Sequence, residues 1–220
     1  MASGMEGLGG GLARLIAHLR KEKAASEHVL IAIAGAPREF FIPENFRDQA
    51  YVDAALPLTS GQTISQPWVV ATMTEALDVQ PTHKVLEIGT GSGWQTAILS
   101  KLAGAVFSIE RHATLSRGAR AALDKLGIAN VRLRIGDGTL GWPEEAPFAR
   151  IMVTAAADKS PPPALLAQLS PQGGVMLIPV KEGDEGEHLW RVTRTGKEIS
   201  RVRLSAVRFV PLVAGMPKAK

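Results

Sequence analysis

The residues with the clearest chemical potential are three alternating glycines that directly follow an acidic residue. The segment reads Val85-Leu86-Glu87-Ile88-Gly89-Thr90-Gly91-Ser92-Gly93-Trp94. Glycine has no side chain to block a ligand, and it adopts positive φ angles readily. The N–H groups of such a turn, together with the N-terminus of a following helix, converge on one point and favour polar ligand groups. The pattern therefore predicts a ligand-binding turn between Glu87 and Gly93.

Two further acidic residues occupy places similar to that of Glu87. Glu110 ends the next apolar run, 21 residues after Gly89, and Asp137 follows a third run. Ligands of open α/β sheets bind outside the carboxyl ends of the strands. A carboxylate only accepts hydrogen bonds, so Glu110 suits the two hydroxyls of a ribose and Asp137 an adenine amino group. Strand-end acids can also cap helices, but three successive strand ends beside the glycine turn favour a nucleoside site.

The spacing of the glycines separates two classes of nucleoside ligand. Dinucleotide-binding folds carry Gly-x-Gly-x-x-Gly, whereas this chain has acid-x-Gly-x-Gly-x-Gly. The difference favours S-adenosylmethionine over a redox dinucleotide. We therefore expect an S-adenosylmethionine site, with S-adenosylhomocysteine as the product.

Strand-like and helix-like segments alternate from residue 84 onward, which predicts a parallel sheet with helices on both faces. The predicted strands of this part are Lys84–Ile88, Ala105–Glu110, Val131–Ile135, Phe148–Thr154 and Gly174–Val180. The predicted helices are Trp94–Ala103, Ala113–Leu126 and Pro163–Leu169. Short turns join further strand-like runs, which are expected to add antiparallel strands at one edge. These runs are His188–Thr195, Glu198–Leu204 and Val207–Val213.

The preceding residues predict helices and loops that extend this sheet. Residues 12–34 have the apolar spacing of two helical pieces, Leu56–Pro67 is a loop without periodicity, and a helix begins near Pro67. The predicted fold class is α/β: a Rossmann-like, doubly wound, mostly parallel sheet with antiparallel C-terminal edge strands and an N-terminal helical extension. We expect one domain over residues 1–220, with a helical part at 1–80, a core at 81–180 and C-terminal strands at 181–220.

Composition and charge limit the function classes. The 220 residues are 45% hydrophobic and include no cysteine, which suits one buried core and excludes disulfides and thiolate chemistry. The net charge of +4 comes from scattered basic residues, which favours a solvated surface over a nucleic-acid groove. The histidines lack ligand spacing, so no metal site is expected. Without a secretory signal or a long apolar run, the chain is expected to be cytoplasmic and to make no membrane contact.

Six segments of the chain resemble the protein-L-isoaspartate O-methyltransferase family in order and spacing. The most specific is Gly61-Gln62-Thr63-Ile64-Ser65-Gln66-Pro67, which other class I methyltransferases lack. The glycine turn is shared with that whole superfamily. The remaining four are Pro37-Arg38-Glu39-Phe40-Phe41-Ile42-Pro43, Gly136-Asp137-Gly138, Val153-Thr154-Ala155-Ala156-Ala157 and Arg208-Phe209-Val210-Pro211-Leu212.

This resemblance implies a reaction and a set of site residues. S-adenosylmethionine would donate a methyl group to the free α-carboxylate of an L-isoaspartyl residue in a damaged protein or peptide, and the ester would then close to a succinimide. Ser65 would be the active-site serine. Substrate-binding residues would be Thr63, Ile64, Ser65, Ala155 and Val210. Cofactor-binding residues would be Glu87, Gly89, Thr90, Gly91, Gly93, Glu110, Arg111, Asp137, Gly138 and Thr154.

Ser65 has two interpretations on sequence grounds. A carboxylate with a pKa of about 4 is already ionised at neutral pH, so methyl transfer to it needs no general base. Ser65 would then donate a hydrogen bond that orients the carboxylate. Its hydroxyl would also suit the N-cap of the helix that begins near Pro67, since serine is a favoured N-cap residue, and the two roles are compatible.

Two other functions compete with this interpretation. An S-adenosylmethionine-dependent RNA methyltransferase would need clustered basic residues and aromatic platforms, whereas the chain has one tyrosine and scattered charges. A non-catalytic S-adenosylmethionine-binding paralogue would be expected to lose Ser65 or the glycines, and both are present. We therefore expect a monomeric enzyme that binds isoaspartyl proteins and peptides and holds no nucleic acid stably.

Overall fold

The computed structural model describes residues 2–217, with side-chain surroundings from residue 10 onward. The α-helices of this range are α1 (Ala2–Lys21), α2 (Glu27–Ala34), α3 (Pro67–Leu77), α4 (Trp94–Leu102), α5 (Ala113–Lys125) and α6 (Pro163–Gln168). Its strands are β1 (Leu56–Pro57), β2 (Thr63–Ile64), β3 (Lys84–Ile88), β4 (Ala105–Glu110), β5 (Val131–Ile135), β6 (Arg150–Val153), β7 (Ala157–Asp158), β8 (Gln172–Lys181), β9 (Glu187–Thr195) and β10 (Glu198–Ala206). Within the same range, no helix has the length and apolarity to cross a membrane.

The central sheet has the strand order β10-β9-β8-β6-β3-β4-β5, with β7 paired to β8. The strands from β8 to β5 run parallel, whereas β9 and β10 are each antiparallel to their neighbours. The order reverses at β3, because the chain moves first to β4 and β5 and later returns to β6 on the other side. This architecture confirms the predicted Rossmann-like α/β fold. It also creates a crevice at the carboxyl ends of β3 and its neighbours.

Alternate residues of the strands build an apolar core on each face of the sheet. Val85 and Val106 belong to the cluster that includes α1 to α4, whereas Leu86 and Phe107 belong to the cluster on the opposite face. Side chains alternate along a strand. Glu87 therefore lies on the same face as Val85 and Val106, beneath the helical layer.

The predicted elements are largely confirmed, with shifts of a few residues at their ends. The helical pieces expected within 12–34 are α1 and α2, although α1 begins at Ala2. The antiparallel edge strands are β9 and β10, and the helix near Pro67 is α3.

The loop predicted at Leu56–Pro67 contains a pair of short strands. Leu56 pairs with Ile64, and Pro57 pairs with Thr63 in antiparallel register. The Leu58 N–H donates to the Gln62 carbonyl at 2.7 Å, which closes a tight loop. Strands of two residues are too short to show periodicity, so the sequence could not reveal them. This pairing fixes the backbone that leads to Ser65.

The strand predicted at Val207–Val213 is wrong. After β10 the chain leaves the sheet edge and crosses the carboxyl end of β6, where Ala156 and Pro211 form an isolated bridge. The Ala156 N–H donates to the Val210 carbonyl at 2.8 Å, and the Leu212 N–H donates to the Ala156 carbonyl at 2.7 Å. Pro211 has no N–H and cannot extend a ladder. The segment therefore covers the crevice instead of widening the sheet.

Candidate functional site

A cavity of about 210 Å³ lies at the carboxyl ends of β3 and β4, where the strand order reverses. We call it the glycine-turn cavity. Its walls come from the glycine turn, the end of β4, the loop before α3 and the C-terminal segment that crosses β6. The predicted site residues in these walls are Thr63, Gly89, Gly91, Glu110, Arg111, Gly138, Thr154, Ala155 and Val210.

Glu110 places a fixed carboxylate in the cavity wall. The residue is 5% exposed, its Oε2 accepts from the Gly91 N–H at 2.9 Å, and its Oε1 accepts from the His112 N–H at 2.9 Å. These bonds hold the carboxylate between the glycine turn and the start of α5. A carboxylate offers about four acceptor positions, so two remain for donors of a ligand. A vicinal diol would supply two such donors.

The three glycines of the turn are required for different reasons. Gly91 has φ 55°, and nothing lies within 4 Å of a Cβ added there, so it borders open space. A Cβ at Gly89 would lie 2.4 Å from the Thr154 Oγ1, and a Cβ at Gly93 would lie 3.0 Å from the Ala119 Cβ. All three have positive φ. Gly91 therefore leaves room for a ligand, whereas Gly89 and Gly93 allow β6 and α5 to pack closely against the turn.

Glu87 does not line the glycine-turn cavity, although the family resemblance placed it among the cofactor-binding residues. It is fully buried beneath the turn, and its Oε2 accepts hydrogen bonds of 2.5 Å from the hydroxyls of Thr96 and Ser108. The Ser108 Oγ also lies 2.6 Å from the Thr90 Oγ1. Thr90 is likewise buried. This network joins β3, β4, the glycine turn and the first turn of α4, so Glu87 supports the turn from below.

We expect Glu87→Gln to stabilise the protein at neutral pH. Burial, opposed by the hydrogen bonds from Ser108 and Thr96 and reinforced by nearby Glu110, raises the pKa of Glu87 from 4.5 to about 7. Between these values the folded state keeps a proton that the unfolded state has lost, so the free energy of unfolding falls as pH rises. Glutamine does not titrate. Urea unfolding between acidic and weakly alkaline pH should therefore show a difference that grows to roughly 3 kcal/mol in favour of the variant.

Thr96→Val is the matched control, because it removes one hydrogen bond to Glu87 and leaves the carboxyl group to titrate. Its free energy of unfolding should lie below that of the wild type and should still fall as pH rises. If the wild type and Glu87→Gln showed the same pH dependence, the titration of Glu87 in this range would be disproved.

Asp137 and Gly138 have separate positions. Gly138 lines the cavity, and a Cβ added there would lie 2.4 Å from the Ile88 Cγ2. The Asp137 Oδ1 accepts from the Thr139 N–H at 2.8 Å, and its Oδ2 accepts from the Gly215 N–H at 2.6 Å. Although partial burial favours the protonated acid, these bonds lower the pKa of Asp137 below its ordinary value. Asp137 thus anchors the C-terminal segment, and the residues lining the cavity do not include it.

Arg111 and Thr154 complete two walls of the cavity. The Thr154 Oγ1 lies 2.8 Å from the Gly89 carbonyl and 3.0 Å from the Ile88 carbonyl, so it fastens the end of β6 to the turn. The Arg111 Nε is buried and has no hydrogen-bond partner among the described residues. Buried polar groups normally have partners. Arg111 lines the cavity, but this nitrogen is closed off from it by the surrounding protein.

Two further spaces adjoin the glycine-turn cavity. A small cavity of about 50 Å³ lies between the turn and α3, and a wider groove of about 870 Å³, the open groove, runs between α3 and the segment 206–211. Thr63 and Thr154 line all three spaces. A ligand in the cavity and a second molecule in the groove would therefore meet beside these residues.

Ser65 lies in the wall shared by the small cavity and the open groove. Its carbonyl oxygen accepts a hydrogen bond of 2.9 Å from Arg38, while its hydroxyl has no partner among residues 2–217. Gln66 is the residue before α3, and neither Gln66 nor Ser65 caps that helix with its side chain; the Trp68 N–H of the first turn instead donates to the Asp53 carboxylate at 2.8 Å. The N-cap interpretation of Ser65 is therefore wrong. Its hydroxyl is available to a molecule in the groove.

Several wall residues were missed on sequence grounds. His112 binds Glu110 through its N–H and precedes α5. Its place two residues after a strand-end acid and directly before a predicted helix is a usable signal. Leu212 and Val213 also line the glycine-turn cavity. Leu212 belongs to one of the six segments that resemble the family, so the resemblance pointed to this part of the chain, although the sequence predicted a strand there.

Acidic residues beside a cavity can also hold metal ions. Among residues 2–217, however, no three His, Asp or Glu side chains are grouped as a metal site requires. The carboxylates of Glu110 and Asp137 instead accept hydrogen bonds from backbone N–H groups. Their arrangement suits a hydroxyl-bearing ligand or a structural anchor.

Comparisons with known proteins show which family the chain belongs to. The family model for protein-L-isoaspartate(D-aspartate) O-methyltransferase matches residues 12–216. A protein-L-isoaspartate O-methyltransferase of Parvibaculum lavamentivorans is 52% identical over 206 residues, covering 93% of this chain and 92% of its own. That of Rhodospirillum rubrum is 52% identical over 206 residues, covering 93% of both chains.

Solved structures extend the likeness to the fold. A protein-L-isoaspartate O-methyltransferase superposes with a TM-score of 0.82 at 27% identity, over 93% of this chain and 66% of that chain. A Plasmodium falciparum protein in complex with S-adenosyl-L-homocysteine gives a TM-score of 0.78 at 24% identity, over 91% of this chain and 97% of its own. The second likeness concerns the fold alone. From the family model and the identity to its relatives, the chain belongs to the protein-L-isoaspartate O-methyltransferase family.

Proposed function

We propose that this protein transfers the methyl group of S-adenosylmethionine to the free carboxylate of L-isoaspartyl residues in damaged proteins and peptides. Membership of the family supports this activity. The structural observation that carries it is the meeting of the glycine-turn cavity with the open groove at Thr63 and Thr154. A methyl donor and a polypeptide acceptor need two such adjoining sites.

The residues of the glycine-turn cavity fit S-adenosylmethionine, which when bound supplies a methyl group on a positively charged sulfur. Glu110 has two free acceptor positions for the ribose hydroxyls, and Gly91 leaves space beside them. Ile88, Ile109 and Gly138 offer an apolar surface for the adenine ring. Arg111 lines the same cavity. Glu87 and Asp137 act from outside the cavity, by fixing the turn and the C-terminal segment.

The isoaspartyl carboxylate that accepts the methyl group must be oriented, and water must be excluded from the reacting groups. An ionised carboxylate with a pKa of about 4 attacks without a general base. The Ser65 hydroxyl, which is unpartnered among the described residues, donates a hydrogen bond to one carboxylate oxygen and turns the other toward the methyl group. Residues 210–213 form one wall of the cavity and reduce its contact with solvent. Alignment of this kind contributes up to roughly 7–11 kcal/mol to catalysis.

The open groove suits recognition of a polypeptide through its main chain. Isoaspartyl sites occur in many sequence contexts, so backbone hydrogen bonds are the common feature that an enzyme can use. Ala155 is small and leaves room at the junction, and Val210 borders both the cavity and the groove. We further propose that the enzyme acts as a monomer in the cytoplasm, which its lack of cysteine permits.

Transfer of labelled methyl to an isoaspartyl peptide, compared with its normal aspartyl twin, tests the proposal. We expect methylation of the isoaspartyl peptide alone. Binding of S-adenosylhomocysteine is measured in parallel by titration calorimetry. Transfer to neither peptide by a protein that binds S-adenosylhomocysteine would overturn the assigned substrate, and transfer to RNA would establish the competing function.

A further inference from the structure

Arg38 is a fully buried cation at the centre of the loop that carries Ser65. It is 0% exposed, and its guanidinium donates to main-chain carbonyl oxygens from four places in the chain. Nη1 donates to Ala50 at 2.9 Å and Val52 at 3.2 Å, and Nη2 donates to Ala54 and Ser65, both at 2.9 Å. The planar fork of arginine is suited to such a multiple contact. Arg38 thereby fixes the backbone of Ser65 to the chain that precedes it.

Arg38 also contacts the element that follows the glycine turn. Its guanidinium carbon lies 4.9 Å from the ring centroid of Trp94, the first residue of α4. The Trp94 ring is 1% exposed, and its Nε1 donates to the Ala36 carbonyl at 2.8 Å. Arg38 and Trp94 therefore form a buried contact between the loop that carries Ser65 and the helix that follows the glycine turn.

A neighbouring carboxylate reinforces the same loop. Asp53 accepts from the Trp68 N–H at 2.8 Å and from the Gln66 side chain at 3.1 Å. Burial, partly offset by attraction to Asp53, lowers the pKa of Arg38 to about 10, so Arg38 stays charged at neutral pH. A permanent charge strengthens its bonds to the four carbonyl groups. These bonds restrict the conformations that the Ser65 backbone can adopt.

We propose that Arg38 is a positioning residue for methyl transfer, which sets the distance between the Ser65 hydroxyl and the glycine turn. The inference rests on the proposed function, because it assigns Arg38 an effect that passes through Ser65. It differs from a general stabilising role in one respect. Loss of Arg38 should damage transfer only while Ser65 is present to be positioned.

A double-mutant cycle separates these roles. Arg38→Lys keeps the charge but loses the planar fork, and a misplacement of about 1 Å can lower turnover about 100-fold. We expect kcat/KM for the isoaspartyl peptide to fall about 10- to 100-fold, mainly in kcat, with the Kd for S-adenosylhomocysteine within about 3-fold of wild type. In a Ser65→Ala background the same substitution should change kcat/KM by less than about 3-fold.

Arg150→Lys is the matched control. Arg150 is 8% exposed and also donates to main-chain carbonyls, at 2.8 Å to Asp78 and 2.9 Å to Ala149, but it lies at the opposite end of β6 from Thr154. Its substitution should lower stability and leave any change in kcat/KM the same in both Ser65 backgrounds. If Arg38→Lys does not fold, Trp94→Phe alters the same contact from the Trp94 side. Its effect on kcat/KM should show the same dependence on Ser65.

If Arg38→Lys lowered kcat/KM equally in the Ser65 and Ser65→Ala backgrounds, the inference would be overturned and the proposed function would still stand. A wild-type protein that binds S-adenosylhomocysteine but does not methylate the isoaspartyl peptide would overturn both. Loss that depends on Ser65, without change in cofactor affinity, would establish Arg38 as the positioning residue.

Discussion

Glu110→Ala is expected to weaken S-adenosylhomocysteine binding by about 100- to 10,000-fold, because two charge-assisted hydrogen bonds to the ribose, each worth about 1.5–3 kcal/mol, disappear together. The substitution also frees the Gly91 and His112 N–H groups, which the carboxylate holds at 2.9 Å. The glycine turn then loses a fixed partner on the cavity side. Titration calorimetry of the folded variant measures the effect directly.

Two variants calibrate this result. Glu110→Gln keeps one acceptor oxygen and should show an intermediate loss of affinity. Glu144→Ala removes an exposed carboxylate that pairs with Arg134 at 3.0 Å, outside the cavity, and should bind as the wild type does. An affinity of Glu110→Ala within about 3-fold of the wild type would contradict the assignment of Glu110 to the ribose.

Ser65→Ala is expected to lower kcat for the isoaspartyl peptide by about 10- to 100-fold, the kinetic equivalent of one hydrogen bond to a charged group. The Ser65 hydroxyl has no partner among the described residues, so its removal leaves no buried donor or acceptor unsatisfied. Stability and the Kd for S-adenosylhomocysteine should therefore stay close to those of the wild type. Steady-state methylation assays at saturating S-adenosylmethionine measure this kcat.

Ser60→Ala serves as the comparison for Ser65→Ala. Ser60 is exposed, lies in the same loop and is absent from the walls of the cavity, the small cavity and the groove. Removing its hydroxyl should leave methyl transfer unchanged. Turnover by Ser65→Ala equal to that of Ser60→Ala would disprove the orienting role of the Ser65 hydroxyl.

The contrast between Glu87 and Glu110 shows how far a sequence pattern can determine function. Glu87 is the next-to-last residue of β3 and Glu110 is the last residue of β4, and period-two alternation places both on the same face of the sheet. The register aligns Glu87 with Ser108, so Glu110 lies two residues, or roughly 6–7 Å, further along the sheet. Because of this distance, the Glu87 carboxylate is buried under α4, whereas the Glu110 carboxylate reaches the cavity.

The three glycines of the turn also show what sequence spacing cannot determine. Their spacing predicted the turn and the class of ligand, because glycine is the residue that adopts positive φ at low cost. Which glycine faces open space depends on what the rest of the chain brings near each one. Thr154 and Ala119, distant in sequence, occupy the space beside Gly89 and Gly93.

Local spacing and backbone preference are enough to specify the alternation of strands and helices, the glycine turn and the acids near the strand ends. Parallel strands then bring their carboxyl ends to one edge, so Glu110 and the glycine turn had to meet. The tertiary structure alone decided that Glu87 supports the turn from below, that Asp137 holds Gly215, and that 207–213 covers the site. It also decided that Arg38 lies between Ser65 and Trp94. Each of these outcomes depends on contacts between residues far apart in the chain, and no local pattern records which groups will share a buried space.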